Sequence, residues 1–287
     1  MNRDGWVVEN APVFTRTGRL VYVRLARHVC AFEFNDPWGV GARSAWARED
    51  WHGKKVACLG VGCAAEAVQA LRNGQVPLKL LLNDIVPVIL DIGVYNTIEK
   101  VTELGLRTQV VVAPGPAEQI LRQPKFAGPY DLILGCLPQV PANGQLDDTE
   151  IAHMYSGRVY PEMAKWGLGL LYAVLEASRA CLKPEGHISL VVSGRIPWSA
   201  VEQLFAATGF RPPWLAYQFM VRHHLGTPLT YLNGLDGAGI LFRDQEGREP
   251  VSPETAEEER LAVERGEIAE ADFKVHHWVR ILNSSPQ

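Results

Sequence analysis

Short apolar runs alternate with longer segments of helical periodicity from residue 54 onward. An apolar run bounded by turn residues predicts a buried strand, and apolar positions that recur every three to four residues predict an amphipathic helix. The predicted strands are 55–59, 78–82, 108–113, 130–134 and 187–192. The predicted helices are 64–73, 88–104, 118–123, 167–182 and 199–208. This repeat predicts a mainly parallel sheet with helices on both faces.

The pattern changes after Gly209, which closes the last helix of the repeat. A strand is predicted at 214–221, a charged helix at 253–265 and a final strand at 273–282. Because the last two strands lack an ordinary crossover helix, they predict a mixed edge of the sheet. The sequence therefore predicts an α/β protein with a Rossmann-like, seven-stranded mixed sheet.

Residues 1–50 do not follow the alternation, although they are rich in aromatic side chains. The aromatic residues of this segment include Trp6, Phe14, Phe32, Phe34, Trp38 and Trp46. Aromatic side chains bury a large apolar area, which favours a packed cap or lid over a disordered tail. We therefore predict a cap segment at 1–50 and a single domain at 51–287.

Composition and charge disfavour several classes of function. The chain has 287 residues and a formal net charge of -4, so it lacks the basic surface typical of nucleic-acid-binding proteins. Its five cysteines are scattered and form no Cys-x-x-Cys pair, which favours a reducing cytoplasm. No secretion signal is predicted, and the longest apolar runs are too short to span a bilayer. We predict no nucleic-acid or membrane partner and leave the oligomeric state open.

Two glycines, Gly60 and Gly62, stand at the predicted turn between the first strand of the repeat and its helix. Glycines at such a turn let the backbone approach a ligand, and the helix N-terminus behind them favours anionic groups. Asp84 ends the next strand, about 20 residues further on, where a carboxylate can accept both hydroxyls of a ribose. The segment therefore predicts a nucleotide-like cofactor.

Both NAD(P)-dependent oxidoreductases and S-adenosylmethionine (SAM)-dependent enzymes use this arrangement. The spacing Gly60-x-Gly62-x-x-Ala65 satisfies a relaxed dinucleotide fingerprint. Two features disfavour the oxidoreductase. No Tyr-x-x-x-Lys pair is present, since Tyr160 and Lys165 are five positions apart, and the loop after strand 130–134 has no evident part in hydride transfer.

The segment 130–141, with the sequence YDLILGCLPQVP, joins a predicted strand to a polar loop. Pro138 cannot donate to a sheet ladder, so the strand ends before it. Open α/β sheets place their ligands just beyond the carboxyl ends of the strands. This loop therefore presents Cys136, Gln139 and several carbonyl groups to a ligand above the sheet.

Together, the glycine turn, Asp84 and this loop resemble a class I SAM-dependent methyltransferase. Residues 136–139 stand at the four positions of the Asn-Pro-Pro-Tyr motif of the glutamine-N5 methyltransferases. A closer resemblance is to the methyltransferase domain of plant methionine S-methyltransferase, which carries a similar Gly-Cys-Ile-Pro-Gln after its fourth strand. Later landmarks match that family in order and spacing: WGLGLLYAVLEAS, LKPEGHISLVVSGR, LFAATGF and His277 in the last strand.

The resemblance implies methyltransferase activity, a SAM cofactor, a small-molecule acceptor and a set of site residues. The implied cofactor-binding residues are Gly60, Gly62, Asp84, Ile85, Gly115 and Cys136. The implied catalytic residues are Cys136, Pro138 and Gln139. The candidate substrate-binding residues are Gln139, His153, Tyr155, Tyr160, Arg195 and His277.

The chain departs from the family pattern at two places. Cys58 stands where an acidic residue usually precedes the first glycine, and the loop 113–119 lacks the Asp that often meets the adenine amino group. The backbone of that loop or Glu118 is the candidate substitute. These departures keep open a third hypothesis, in which the protein is a non-catalytic scaffold with a SAM-binding fold.

The loop residues also bear on the acceptor. Cys136 cannot make the paired hydrogen bonds that orient a planar amide, which argues against a glutamine side chain as the acceptor. A thioether has no proton to lose and needs no base, whereas other acceptors need correct protonation. We therefore favour sulfur over nitrogen or oxygen in a small amino-acid-like acceptor, whose carboxylate Arg195 could bind.

The histidine pairs 223–224 and 276–277 invite a metal interpretation. Adjacent residues of a strand point to opposite faces, so at most one histidine of each pair can converge on an ion. Because no cysteine or carboxylate completes a convincing ligand set, we predict that the protein binds no metal.

Overall fold

The computed structural model describes residues 8–14, 20–26, 37–139, 161–223, 225 and 242–287. Two strands, β1 (Val8–Phe14) and β2 (Leu20–Ala26), pair antiparallel in a small sheet of their own. The strands of the main sheet are β3 (Lys55–Leu59), β4 (Lys79–Asp84), β5 (Gln109–Pro114), β6 (Tyr130–Gly135), β7 (Leu182–Ser193), β8 (Trp214–Arg222), β9 (Phe242–Arg243), β10 (Pro250–Val251) and β11 (His276–Ser284).

The main sheet has a parallel centre and an antiparallel edge. Its order is β10-β9-β11-β7-β6-β3-β4-β5, and β8 also pairs with β11. The strands β3 to β7 run parallel to one another, whereas β11 runs antiparallel to both β7 and β8. The seven predicted strands correspond to β3 to β8 and β11, and the two short strands β9 and β10 extend the sheet to nine. The predicted mixed α/β sheet is confirmed.

Helices cover both faces of the sheet, as the alternation predicts. The helices are α1 (Pro37–Trp46), α2 (Ala65–Arg72), α3 (Pro87–Glu103), α4 (Ala117–Arg122), α5 (Pro161–Ala164), α6 (Gly169–Ser178), α7 (Trp198–Ala207) and α8 (Pro253–Glu264). One apolar core packs α1, α2 and α3 against one face, and a second packs α4 to α7 against the other. Each central strand therefore contributes alternate side chains to two different cores.

The segment before the sheet contributes a helix that the sequence does not predict. In α1, the Trp46 indole nitrogen donates to the Ser189 hydroxyl at 2.9 Å, and the Trp51 indole donates to the Trp46 carbonyl at 3.1 Å. Both tryptophans are buried. The helix thus packs on the sheet, while the predicted boundary between a cap at 1–50 and a domain at 51–287 stays a prediction.

Two predicted boundaries are wrong. The helix predicted at 167–182 ends at Ser178, and β7 already begins at Leu182, because the Tyr130 amide donates to the Cys181 carbonyl at 2.7 Å and draws this segment beside β6. The last strand begins at His276 rather than at Phe273, which is buried after a short 3₁₀ turn.

Within the described ranges, no helix has the length and apolar character needed to cross a membrane.

Candidate functional site

The carboxyl ends of β3 to β7 meet at one edge of the sheet, because these strands are parallel. Three of the predicted cofactor residues, Gly60, Asp84 and Gly115, lie at or just beyond the ends of β3, β4 and β5. The loop 136–139 follows β6, and Arg195 follows β7. The topology therefore brings the predicted cofactor and acceptor residues to the same edge.

The glycine turn adopts a backbone that favours glycine. Gly60 has φ +63° and Gly62 has φ +54°. A Cβ at Gly60 would lie 2.8 Å from a methyl carbon of Leu137, so the turn packs directly against the loop after β6. A Cβ at Gly62 would meet no atom of the described residues within 4 Å, so open space adjoins this part of the turn among them. The two segments singled out by the sequence are in contact, with room beside them for a ligand.

Asp84 ties the end of β4 to the glycine turn. One carboxylate oxygen accepts a hydrogen bond from the Gly62 amide at 3.0 Å, and the other accepts from the Val86 amide at 2.9 Å. Burial raises the pKa of Asp84, while these amides act against the rise. A carboxylate oxygen has a second lone pair, so each can still accept a hydroxyl. Ile85, a predicted cofactor residue, exposes 36% of its surface beside this carboxylate.

Asn83 fixes the loop after β5, a role that the sequence analysis did not predict. Its buried side-chain amide donates to the carbonyls of Ala113 and Gly115, both at 2.8 Å. The Gly115 amide donates in turn to the Asp84 carbonyl at 3.0 Å. These bonds hold the ends of β4 and β5 in a fixed relation at the predicted cofactor site.

Glu118 lies in the first turn of α4, shortly after Gly115. Only 5% of its surface is exposed, and in the described part of the chain neither carboxylate oxygen has a hydrogen-bond partner. Burial raises the pKa of Glu118. A buried polar group without a partner is costly and calls for an explanation such as a ligand. Glu118 therefore brings two buried acceptor atoms, without a partner among the described residues, to the edge of the sheet.

Two further charged residues, Glu66 and Arg43, interact with each other near the start of α2. Glu66 lies in the first turn of α2, and Arg43 lies in α1 with 7% of its surface exposed. Burial raises the pKa of Glu66 to about 7; Arg43 opposes this rise, and Asp84 adds to it. Burial and the charge of Glu66 raise the pKa of the Cys58 thiol. Thus Glu66 places a carboxyl group near the position where Cys58 departs from the family pattern.

The sequence carried a usable signal for only one of these two residues. Glu66 stands in the first turn of a predicted helix, directly after the glycine turn, where an acidic side chain is favourable. Arg43 lies in a helix that no pattern indicated, so its proximity to Glu66 emerges only from the fold.

The side chain of Gln139 has two backbone partners on β7. Its amide nitrogen donates to the Val191 carbonyl at 2.8 Å, and its oxygen accepts from the Ser193 amide at 2.8 Å. The side chain therefore fastens the loop after β6 to the end of β7. Cys136 and Pro138 of the same loop are partly exposed. The catalytic and substrate-binding roles of these three residues stay predictions, and the bonds of Gln139 favour a positioning role.

Arg195 and His277 lie close together beyond the end of β7. The Arg195 side chain donates to the Ser193 hydroxyl at 3.0 Å, and its guanidinium carbon lies 5.9 Å from the centre of the Trp38 ring. The rings of Trp38 and His277 are 5.6 Å apart. His277 is buried, whereas its neighbour His276 is partly exposed, as expected for adjacent residues of a strand. Trp38 joins these two predicted substrate residues from α1.

The remaining predicted substrate residues, His153, Tyr155 and Tyr160, lie outside the described residues. Their contribution to the site stays a prediction.

Comparison with solved structures bears on the fold. The SAM-dependent methyltransferase from Agrobacterium tumefaciens matches with a TM-score of 0.50 and 16% identity, covering 100% of this chain and 76% of that chain. The two proteins share a fold. The predicted Rossmann-like fold class is thereby confirmed.

Two other structures show lower similarity. Precorrin-6y C5,15-methyltransferase from Geobacter metallireducens GS-15 has a TM-score of 0.46 and 12% identity, covering 92% of this chain and 94% of that chain. The ribosomal protein L11 methylase from Lactobacillus delbrueckii subsp. bulgaricus has a TM-score of 0.41 and 16% identity, covering 64% of this chain and 73% of that chain. No protein-family model and no curated protein matches the chain.

Proposed function

We propose that this protein is a SAM-dependent methyltransferase that transfers a methyl group to a heteroatom of a small amino-acid-like acceptor. The main support is the contact of the glycine turn with the loop after β6, beside the carboxylate of Asp84. The fold shared with the Agrobacterium tumefaciens SAM-dependent methyltransferase further supports the proposal. The name of that enzyme supports SAM as the cofactor.

The residues of the edge fit each part of SAM. Asp84 retains lone pairs for the ribose hydroxyls, and the exposed Ile85 offers an apolar surface to the adenine ring. The buried oxygens of Glu118 would accept the adenine amino group. Glu66, directly after the glycine turn, and Arg43, which interacts with it, offer a carboxyl group and a guanidinium to the ammonium and carboxylate of the amino-acid end.

Bound SAM supplies an electrophilic methyl group, and the protein then has to hold the nucleophile in line with little positional freedom. The loop 136–139 is the element best placed for this, because it contacts the glycine turn and is fastened to β7 by Gln139. Since the Gln139 amide already has backbone partners, it does not favour a planar amide acceptor. We favour a sulfur acceptor, which loses no proton, over nitrogen or oxygen.

The cofactor site is tested by titration calorimetry with S-adenosylhomocysteine, the product of SAM. Asp84→Asn keeps the size of the side chain but removes the charge and one acceptor. We expect it to weaken binding at least about tenfold, as for the loss of a charged hydrogen bond. The matched control is Asp91→Asn, at an exposed carboxylate on α3. Equal affinity in wild type and Asp84→Asn, or no binding by the wild type at millimolar concentration, contradicts the proposal.

The alternatives predict other results. An NAD(P)-dependent oxidoreductase would change the fluorescence of a reduced nicotinamide on mixing, and a scaffold would bind S-adenosylhomocysteine without turning over any acceptor. A screen of thioethers, amines and carboxylates with labelled SAM separates these cases and identifies the methylated atom.

A further inference from the structure

A group of aromatic and cationic side chains lies between the end of β7 and the start of β11. In the antiparallel register Val279 faces Ser193, and the Gly194 amide donates to the Trp278 carbonyl at 2.6 Å. Arg195 follows directly after Gly194, and its charge acts on His277, the residue before Trp278. This geometry explains how two residues 82 positions apart in the sequence reach one place.

His277 is the unusual member of the group. Only 2% of its surface is exposed, and among the described residues neither ring nitrogen has a hydrogen-bond partner. Its ring packs between Trp38, at 5.6 Å, and His223, at 6.0 Å between centroids. Buried polar atoms in folded proteins nearly always have partners, so two orphaned nitrogens on one ring indicate a partner that the described residues do not supply.

The charges around His277 indicate the sign of that partner. Burial, and after it the charges of Arg195, His223 and His276, hold the pKa of His277 well below its usual range. All three neighbouring groups are cationic when they are charged. An anion placed among them would be attracted by Arg195 and would favour protonation of His277.

Arg195 is held in place for such a contact. Its Nε donates to the Ser193 hydroxyl at 3.0 Å, while the Ser193 amide donates to Gln139 at 2.8 Å. The guanidinium is thus connected through one residue to the loop that contacts the glycine turn. Arg presents a planar array of donors that matches a carboxylate.

We propose that Arg195, His277 and Trp38 form a subsite that binds a carboxylate of the methyl acceptor. The inference rests on the proposed methyltransferase function and deepens it, since it assigns the chemical group by which the acceptor is recognised. Arg195 provides the fixed charge, and His277 provides a donor that takes up a proton as the carboxylate enters. Trp38 forms the apolar wall against which the acceptor packs.

The proton uptake has a defined sign. Burial and the neighbouring positive charges hold the pKa of His277 well below its usual range, and a bound anion would raise it, so carboxylate affinity increases as the pH falls toward the pKa of His277 in the complex. The groups whose positive charges oppose protonation of His277, from the elements packed around it, are Arg195, His223 and His276.

The experiment uses the full chain saturated with S-adenosylhomocysteine, and measures binding of matched carboxylates and carboxamides by calorimetry. The probes are L-methionine with L-methioninamide and 3-(methylthio)propionate with its amide. We expect at least one carboxylate to bind about tenfold or more tightly than its amide, which corresponds to one or two charged hydrogen bonds. If no carboxylate exceeds its amide, the proposal is overturned.

Two variants locate the effect. Arg195→Gln should abolish the preference for carboxylate, and His277→Gln should abolish its pH dependence, while His276→Gln, on the opposite side of the strand, should retain both. Unchanged preference in Arg195→Gln overturns the proposal even if His277→Gln does not fold. Tighter binding of inorganic phosphate than of the carboxylates would also contradict it.

Binding of S-adenosylhomocysteine to the wild type and each variant distinguishes failure of the proposed cofactor site from failure of the carboxylate subsite. If this binding is lost in the wild type, the proposed function fails. If it persists in the wild type and the variants while carboxylate selectivity is absent, only the subsite fails.

Discussion

At the scale of single residues, Gly60 combines a left-handed backbone conformation with close packing against Leu137. Its φ of +63° is disfavoured for any residue with a Cβ, and a Cβ there would lie 2.8 Å from Leu137. Gly53 has a similar φ of +69°, but a Cβ there would meet no atom within 4 Å in the described part of the chain. Alanine substitutions at these two glycines therefore separate the cost of left-handed backbone strain from the cost of a clash with Leu137.

Gly60→Ala should cost more stability than Gly53→Ala. We expect about 1–2 kcal/mol of left-handed strain in each variant, and a further loss in Gly60→Ala as the loop 136–137 is displaced. Chemical denaturation measures the stability, and calorimetry with S-adenosylhomocysteine measures the affinity. Only Gly60→Ala should weaken binding. Equal effects of the two substitutions would mean that the contact with Leu137 has no part in the cofactor site.

The residues also show which roles the sequence can predict. The positions of Gly60, Gly62 and Asp84 follow from local spacing, because a strand, a turn and a helix determine where they lie. The partners of Gln139 do not, because they belong to β7, more than 50 positions away. The position of Gln139 after a predicted strand indicates that it lies at the carboxyl-end edge of the sheet, but it does not indicate which atoms the side chain binds.

At the scale of elements, the loop after β6 and the end of β7 act as one unit. Gln139 joins them by two hydrogen bonds, and Ser193 carries the connection to Arg195. The loop faces the glycine turn on its other side. The acceptor side of the proposed site thus depends on an inter-element connection rather than on one motif.

Gln139→Met removes both hydrogen bonds while keeping a side chain of similar length. We expect a loss of about 1–3 kcal/mol in stability, from two hydrogen bonds of about 1 kcal/mol and one unpaired amide. Turnover should fall more than tenfold, with S-adenosylhomocysteine affinity within about threefold of wild type. Gln203→Met, on the exposed surface of α7, is the control. A matching loss of turnover and cofactor affinity would refute the positioning role.

The elements of the alternating region were predicted well, since strong apolar periodicity and glycine stops fix their type. The helix α1 was missed for a physical reason. It contains Gly39 and Gly41, which lower helix propensity. The structure shows why a glycine is suited to this helix, since a Cβ at Gly41 would lie 2.0 Å from the Phe219 ring. Tertiary packing against β8 therefore outweighs the local preference.

At the scale of the whole molecule, Glu66 makes stability depend on pH. Burial raises its pKa from an ordinary value of 4.5 to about 7 in the folded protein. Between these values the folded state binds more protons than the unfolded state at this residue. The stability that protonated Glu66 contributes to the folded state is therefore fully present below pH 4.5 and is lost as the pH rises through 7.

Glu66→Gln should remove this dependence. As the pH rises from 4.5 to 7.5, the free energy of unfolding of the variant should increase relative to that of the wild type by up to about 3 kcal/mol. Urea denaturation at the two pH values measures it, with Glu99→Gln on the exposed face of α3 as the control. A constant difference across this range would show that the carboxyl group ionises normally in the folded protein.

The packing of α1 also has a consequence for the order of folding during synthesis. This helix is made before the sheet, yet its apolar face contacts β8 and β11, and Trp46 bonds Ser189, 143 positions away. Because β8 pairs with β11, the surface on which α1 packs is complete only after residues 276–284 have left the ribosome. A nascent chain stopped before β11 should therefore lack part of the surface on which α1 packs, and proteolysis should cleave α1 more readily in that chain than in the complete one. Contacts this distant in sequence also favour slow folding.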